Sequence, residues 1–453
     1  MRPTNDFGDP AAGAGGATSP EGSGRMAPVL QLALDFVDLP RALRVAQEAV
    51  DGGADWLEAG TPLIKSEGLQ AVRELRNRFP NHTIVADMKT MDAGRAEVEY
   101  AAKAGADVVG VLGAASDATI RECIEAGRNY GAKIIVDMIQ VGDVVARALA
   151  VEAMGASYVG IHVAIDEQME GKTPFETLGR VASAVSIPVA VAGGINSQTA
   201  AEAARAGASI VVVGGAVTKA TDATEATRQL KHAIAHLVSV ESEYFVRATA
   251  ANMAEQLLRV STANVSDAQH RSGDVPGLLA RLPGAKIAGP AVTVRTYPGD
   301  WAKPVEAIDH ANPGDVIVID AGGVGPAIWG ELATHSAIQK RVAGVVIFGA
   351  ARDTPEITRL KFPLWSTLVM PTAGEPKGFG ETGVPIKISG VTIAPGDWII
   401  ADDDGVCVLP KDKAVENTNR AMDVLERENR LRQEIQEGST LSQVAYLLKW
   451  EKR

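Results

Sequence analysis

Thr83-Ile84-Val85-Ala86-Asp87-Met88-Lys89-Thr90-Met91-Asp92 is the stretch on which the fold turns: an apolar run that passes directly into two carboxylates and an ammonium. If the run is a strand that stops near Lys89, alternation puts Asp87 and Lys89 on one side. Asp92 then sits in the loop beyond, within reach of the same small volume. Mixed charges at a surface are ordinarily ion-paired and contribute little. At the carboxyl end of a buried parallel strand, however, charges stand where a closed β/α barrel keeps its chemistry.

The neighbouring sequence has the pattern such a barrel needs. Apolar runs recur at Val29 to Phe36, Trp56 to Gly60, Thr83 to Lys89, Val108 to Gly113, Lys133 to Ile139, Tyr158 to Val163, Pro188 to Gly194 and Ile210 to Gly215. Between them lie amphipathic stretches such as Pro40 to Asp51 and Gln198 to Ala206, and a Gly-Ala-Asp or Gly-Ala-Ser phrase ends a helix before the next run at Gly53, Gly105, Gly155 and Gly207. Eight nearly continuous apolar strands separated by helices predict an α/β chain that starts with a (β/α)8 TIM barrel.

The strand ends then form one polar set: Asp35, Glu58, Asp87 with Lys89 and the following Asp92, Asp137, and His162. Glu58 and Asp87 are hard oxygen donors suited to Mg²⁺ or Mn²⁺, which would chelate a ketone and its neighbouring hydroxyl. Lys89 suits a developing oxyanion, and His162 is the histidine placed to shuttle a proton. Gly193-Gly194 and Gly214-Gly215 end the last two strands, where bare backbone receives a substrate phosphate in this architecture.

These residues carry a resemblance. Ala33-Leu34-Asp35, the run from Glu58 to Gly68, Ala86 to Asp92, His162 in its strand, Val191 to Gly194 and Val213 to Ala216 resemble the 3-hexulose-6-phosphate synthases of the orotidine-phosphate decarboxylase superfamily. The resemblance implies reversible aldol addition of formaldehyde to ribulose 5-phosphate. Asp35, Glu58, Asp87, Lys89, Asp92 and His162 become the active-site set, with the metal on Glu58 and Asp87 and the phosphate on the glycine pairs. Keto-gulonate-phosphate decarboxylases, the alternative on this barrel, tend to carry arginines where this chain has Gly215 and Ile165. In the superfamily the loop aspartate, here Asp92, reaches into a partner's site, so a homodimer is implied.

With 453 residues the chain is long enough for two domains. The sequence places a flexible tail at 1–26, the barrel at 27–240 and a second domain at 241–453. Lys and Arg total 44 against 56 Asp and Glu, a net charge of -12 that argues against nucleic acid or an anionic membrane as partner. No segment is long and apolar enough to span a bilayer. Two cysteines, Cys123 and Cys407, form no ligand-spaced cluster, and the reducing cytoplasm is the expected compartment.

The second half reads as strands at Lys286 to Tyr297, Asp315 to Asp320, Val345 to Phe348 and Trp398 to Leu409, with helices at Pro326 to Val342 and Ala414 to Gln436, a smaller α/β domain. The region from Ser239 to Ser261 reads as continuing helix. Gly322-Gly323-Val324-Gly325 precedes a helix, so its N–H groups suit a carboxylate, or it is a plain turn. Arg352-Asp353 sets a cation beside a hard metal ligand, or is a surface ion pair. The glycine loop, Gly330-Glu331-Leu332 and Gly344 to Asp353 resemble the family shared by RraA-type regulators of RNase E and class II pyruvate aldolases. By that resemblance Arg352 holds a pyruvyl carboxylate and Asp353 a metal, or the domain is a non-catalytic binding module, and a trimeric ring is implied.

Overall fold

The computed structural model describes residues 28–241 and 246–444. The expected tail at 1–26 lies outside them. Eight parallel strands close into a barrel in chain order: β1 (Val29–Leu34), β2 (Trp56–Ala59), β3 (Thr83–Thr90), β4 (Val108–Leu112), β5 (Lys133–Asp137), β6 (Tyr158–His162), β7 (Val189–Ala192) and β8 (Ile210–Val213). β1 pairs with both β2 and β8, which shuts the cylinder.

The recurring Gly-Ala-Asp/Ser phrase has a local physical cause. Gly53, Gly105, Gly155 and Gly207 all take φ between 97° and 107°, where a Cβ would be strained. The alanine that follows is buried, and Asp55 and Asp107 then accept the backbone N–H of Leu30 and Ile84 at 2.8 and 2.7 Å. One phrase therefore stops a helix, packs it, and pins the start of an adjacent strand.

Two apolar layers divide the barrel. Outward-facing strand residues such as Leu32, Leu57, Ile84 and Val109 pack on the surrounding helices. Val85, Val108, Tyr158, Ala190 and Ile210, with Trp56 and Ile135 against them, plug the interior, and the Trp56 and Tyr158 rings meet edge to face at 5.6 Å. The plug leaves the carboxyl ends of the strands open.

The second unit carries an eight-stranded mixed sheet. Its strands are β9 (Leu279–Ala280), β10 (Ile287–Thr296), β11 (Val316–Asp320), β12 (Gly344–Ala351), β13 (Leu364–Val369), β14 (Gly380–Thr382), β17 (Trp398–Asp402) and β18 (Gly405–Leu409), and β15 (Ile386–Ile388) and β16 (Val391–Ile393) form a separate hairpin. β10 to β13 are parallel, and β17 runs antiparallel to β10. Trp398 to Leu409 is thus a hairpin and not one strand, because Asp403-Asp404 forms a two-residue turn with Asp402 paired to Gly405. The expected helix at Pro326 to Val342 is shorter, Glu331–Gln339, since residues 326–330 run as extended backbone with bridges to Ala373 and Ala351.

The joint is not continuous helix. Leu237, at φ 54°, closes the helix Ala223–His236, and among the described residues the next helix begins at Met253. Helix Ala414–Gln436 instead lies against the barrel. Arg430, 5% exposed, donates to the carbonyls of Ala220 and Thr221 and pairs with Glu48 at 3.2 Å, and Glu434 meets Arg41 at 3.1 Å. Among the described residues no helix is long and apolar enough to cross a membrane.

Candidate active site at the open end of the barrel

Alternation on each strand decides what enters the opening. Gln31, Ala33 and Asp35 on and just after β1, Glu58 on β2, Asp137 on β5 and His162 on β6 line one cavity of about 530 Å³, with Gly193, Gly194, Gly214 and Gly215 on its far rim. Among the barrel strands β3 alone shifts register against its neighbour. Between Ala86 and Thr90 its pairing with β4 advances four residues against two, a bulge with Lys89 at φ 50°. The strand continues to Thr90, and alternation persists through the bulge: Val85, Asp87 and Lys89 face the cavity, whereas Ile84, Ala86 and Met88 pack in the outer apolar layer.

The Lys89 ammonium lies 2.7 Å from Asp87 Oδ2 and 2.9 Å from Asp137 Oδ2. Burial works against its charge, but the two carboxylates outweigh burial and hold its pKa above the ordinary lysine value. Asp137 Oδ2 also meets His162 Nδ1 at 2.9 Å, and Asp137 Oδ1 accepts from the Ile139 N–H at 2.9 Å. Burial would raise the Asp137 carboxyl; its partners His162 and Lys89 prevail and bring it down to about 2. It is ionised at any working pH.

Glu58 behaves oppositely. It is 7% exposed and accepts from Gln31 Nε2 at 2.6 Å. Burial, then the charges of Asp87 and Asp35, push it up to about 8. Asp35 opens onto the cavity's solvent but lies deep between the strand ends, so its carboxyl is raised by the surrounding protein and then by Asp87. Gly60 must lack a side chain here, because a Cβ would collide with Asp35 Oδ1. Asp87 is fixed from its other side by the Thr61 hydroxyl at 2.8 Å.

Asp35, Glu58 and Asp87 are thus hard carboxylates whose charges oppose one another, a chemistry that a divalent cation would relieve. Among the described residues no three His, Cys, Asp or Glu form a ready coordination sphere. A cation on Glu58 and Asp87 would need its remaining ligands from substrate and water, as a catalytic site requires.

Asp92 departs from expectation. The extra length of β3 carries it past the rim, where it is exposed, accepts from its neighbour Ala93 N–H, and lines a different, shallow depression with Arg95 and Glu122. It does not share the cavity of Asp87 and Lys89. Gln31, Thr61, Gln168 and Lys219 line the cavity without having been singled out. Gln31 was detectable as a polar residue on the inward face of an apolar strand, two positions before Ala33; nothing in the sequence marks Lys219.

In the second unit, Arg352 Nε lies 3.5 Å from Asp353 Oδ2, both side chains partly exposed. Asp353, at φ 56°, accepts from the Glu331 N–H at 3.2 Å, and Gly330 packs so closely that a Cβ would strike both side chains. The glycine loop is spoken for otherwise: Gly322 N–H goes to Asp320 Oδ1 and Gly323 N–H to Phe348 O, and the helix begins only at Glu331. Gly322 and Gly323 therefore do not offer those donors to a carboxylate.

Comparison with known proteins divides the chain in the same way. Residues 28–230 match the family described as Orotidine 5'-phosphate decarboxylase / HUMPS family, and residues 262–408 match RraA-like, Aldolase/RraA. The 3-hexulose-6-phosphate synthase of Bacillus subtilis (strain 168) is 42% identical over 206 residues, 45% of this chain and 98% of that protein. That of Methylomonas aminofaciens is 42% identical over 201 residues, 44% of this chain and 96% of the relative. The crystal structure of 3-hexulose-6-phosphate synthase from Salmonella typhimurium aligns with a TM-score of 0.45 at 37% identity, covering 47% of this chain and all of that one.

Proposed function

The chain belongs to the orotidine 5'-phosphate decarboxylase / HUMPS family through its barrel, and from that premise we propose that the barrel adds formaldehyde reversibly to D-ribulose 5-phosphate to give 3-hexulose 6-phosphate. The observation that carries this reading is the Asp87–Lys89–Asp137–His162 chain inside a cavity closed at its far rim by paired glycines. With His162 Nδ1 donating to Asp137, Nε2 holds the lone pair and removes a proton from C1 of the pentulose. C1 then bonds to the formaldehyde carbon, and the former carbonyl oxygen of formaldehyde takes up a proton as the new hydroxyl. Lys89 stabilises the negative charge that develops on the substrate oxygens between these events. Glu58 and Asp87 would hold Mg²⁺ or Mn²⁺, whose chemistry when bound is Lewis-acid polarisation of the ketone. Asp92, outside this cavity, would serve the site of a partner subunit.

Purified full-length protein with Mg²⁺ and ribulose 5-phosphate is expected to consume formaldehyde, to lose that activity on exhaustive chelation, and to regain it with Mg²⁺ or Mn²⁺. No consumption under these conditions refutes the aldol reading; activity that survives chelation refutes the metal.

For the second unit we propose carboxylate recognition by Arg352, with metal-dependent pyruvate aldolase chemistry if Asp353 holds a cation, and a regulatory binding module otherwise. The test is pyruvate release from a 4-hydroxy-2-oxo diacid in the presence of Mg²⁺. Release that falls at least about a hundredfold in Asp353→Ala supports the lyase; its absence in the parent protein leaves the binding module.

A further inference from the structure

Helix Ala414–Gln436 belongs to the second unit, yet it touches two loops that border the barrel's cavity. After β6, Asn419 Nδ2 donates to Met169 O at 2.9 Å and Arg420 pairs with Asp166 at 3.1 Å. This is the short segment that sends Ile165 and Gln168 into the cavity, where Gln168 approaches Gly194. After β8, Arg430 holds the carbonyls of Ala220 and Thr221. Between these anchors, Asp423 forms an ion pair with Lys219, which lines the cavity one helical turn after Gly215.

We propose that this helix is a working wall of the barrel's anion subsite, with Asp423 a positioning residue that holds the Lys219 ammonium where a phosphate is received beside the glycine pairs. The inference deepens the aldol reading and rests on its phosphate. A lysine carries its charge on a flexible stem, so an ammonium fixed beforehand loses less freedom when the anion arrives. Asp423 suits the task because it is anchored apart from Lys219: Arg427 Nε stands 3.3 Å from Oδ2 and an Arg247 nitrogen 3.8 Å from Oδ1. Burial opposes its charge, but Lys219 and then Arg427 hold its carboxyl below the usual range, so the tether is ionised at neutral pH. Its side chain is 17% exposed and that of Lys219 20%, which limits screening by salt.

The test uses the full chain and inorganic phosphate as probe, titrated by phosphorus NMR, alongside steady-state turnover. Asp423→Asn keeps the side chain's size and removes its charge. It is expected to weaken phosphate binding and raise KM for ribulose 5-phosphate about fivefold to tenfold, with kcat changed less than about twofold. Asp423→Glu should recover part of the loss. Lys219→Met should weaken phosphate binding at least as much, and the double variant no more than Lys219→Met alone, because the two act as a unit. Unchanged or tighter phosphate binding in Asp423→Asn overturns the inference, as do additive losses in the double variant. Absence of turnover in the parent protein would instead retire the aldol reading, and the phosphate titration still answers for Asp423.

Discussion

Lys89→Met is expected to lower kcat for formaldehyde addition about a thousandfold while KM for ribulose 5-phosphate moves less than about threefold, since the ammonium matters most where charge develops. The side chain is committed before substrate arrives: it lies between two carboxylates at 2.7 and 2.9 Å, on a residue whose φ of 50° places it in a conformation that non-glycine residues seldom adopt. Such a backbone costs on the order of 1–3 kcal/mol, and the paired charges offset it. Methionine fills the same space without charge, leaves Asp87 and Asp137 facing each other, and should also lower the melting temperature by a few degrees, roughly what a half-screened pair contributes. Initial rates and a thermal melt on one preparation separate the two losses. A folded Lys89→Met protein within tenfold of the parent rate would remove Lys89 from the chemistry.

How far the sequence could be read depended on the distance over which each feature is determined. The barrel was legible because its causes are local: an apolar run, a helix of 3.6-residue period, and a glycine that ends it at a left-handed φ, repeated along the first half. Asp35, Glu58, Asp87 and His162 were legible for the same reason, as each follows from alternation on its own strand. Lys89 was legible in the same way, since Val85, Asp87 and Lys89 line the cavity in alternation; what the sequence did not show is the bulge between Ala86 and Thr90. The same bulge lengthens β3 and carries Asp92 away, an outcome set by pairing with β4 and invisible in ten residues. Asp137 was seen at a strand end but given no role, since its importance lies in two partners from other strands, Lys89 and His162. Lys219 needed a contact with a residue some two hundred positions later. In the second half, short strands such as β13 and β14 owe their form to neighbours already in the sheet, and Asp403-Asp404 was overlooked as a turn inside one apolar run.

Asp137→Asn is the other substitution with a large expected effect, and hydrogen-bond direction supplies the reason. Asp137 accepts on both oxygens: Oδ1 from the Ile139 N–H, Oδ2 from Lys89 and His162. An asparagine has one acceptor and one donor group in the same two places. If its oxygen stays with Ile139, its NH₂ meets the Lys89 ammonium donor to donor and forces His162 Nδ1 to accept, which moves the ring proton to Nε2 and removes the base. If it flips, the NH₂ faces the Ile139 N–H. Neither arrangement satisfies every partner, so kcat should fall about a hundredfold to a thousandfold, as expected when a base loses its correct tautomer. Stability carries an independent signature. The folded carboxyl lies at about 2, below its unfolded value of about 3.9, so its ionisation stabilises the native state above the unfolded value. That contribution, about 2 kcal/mol, is lost as pH falls from roughly 4 through 2. The melting temperatures of parent and Asp137→Asn should therefore differ most at neutral pH and draw together across that acid window. A variant that kept the parent rate, or a gap that widened on acidification, would mean that Asp137 does not link Lys89 to His162.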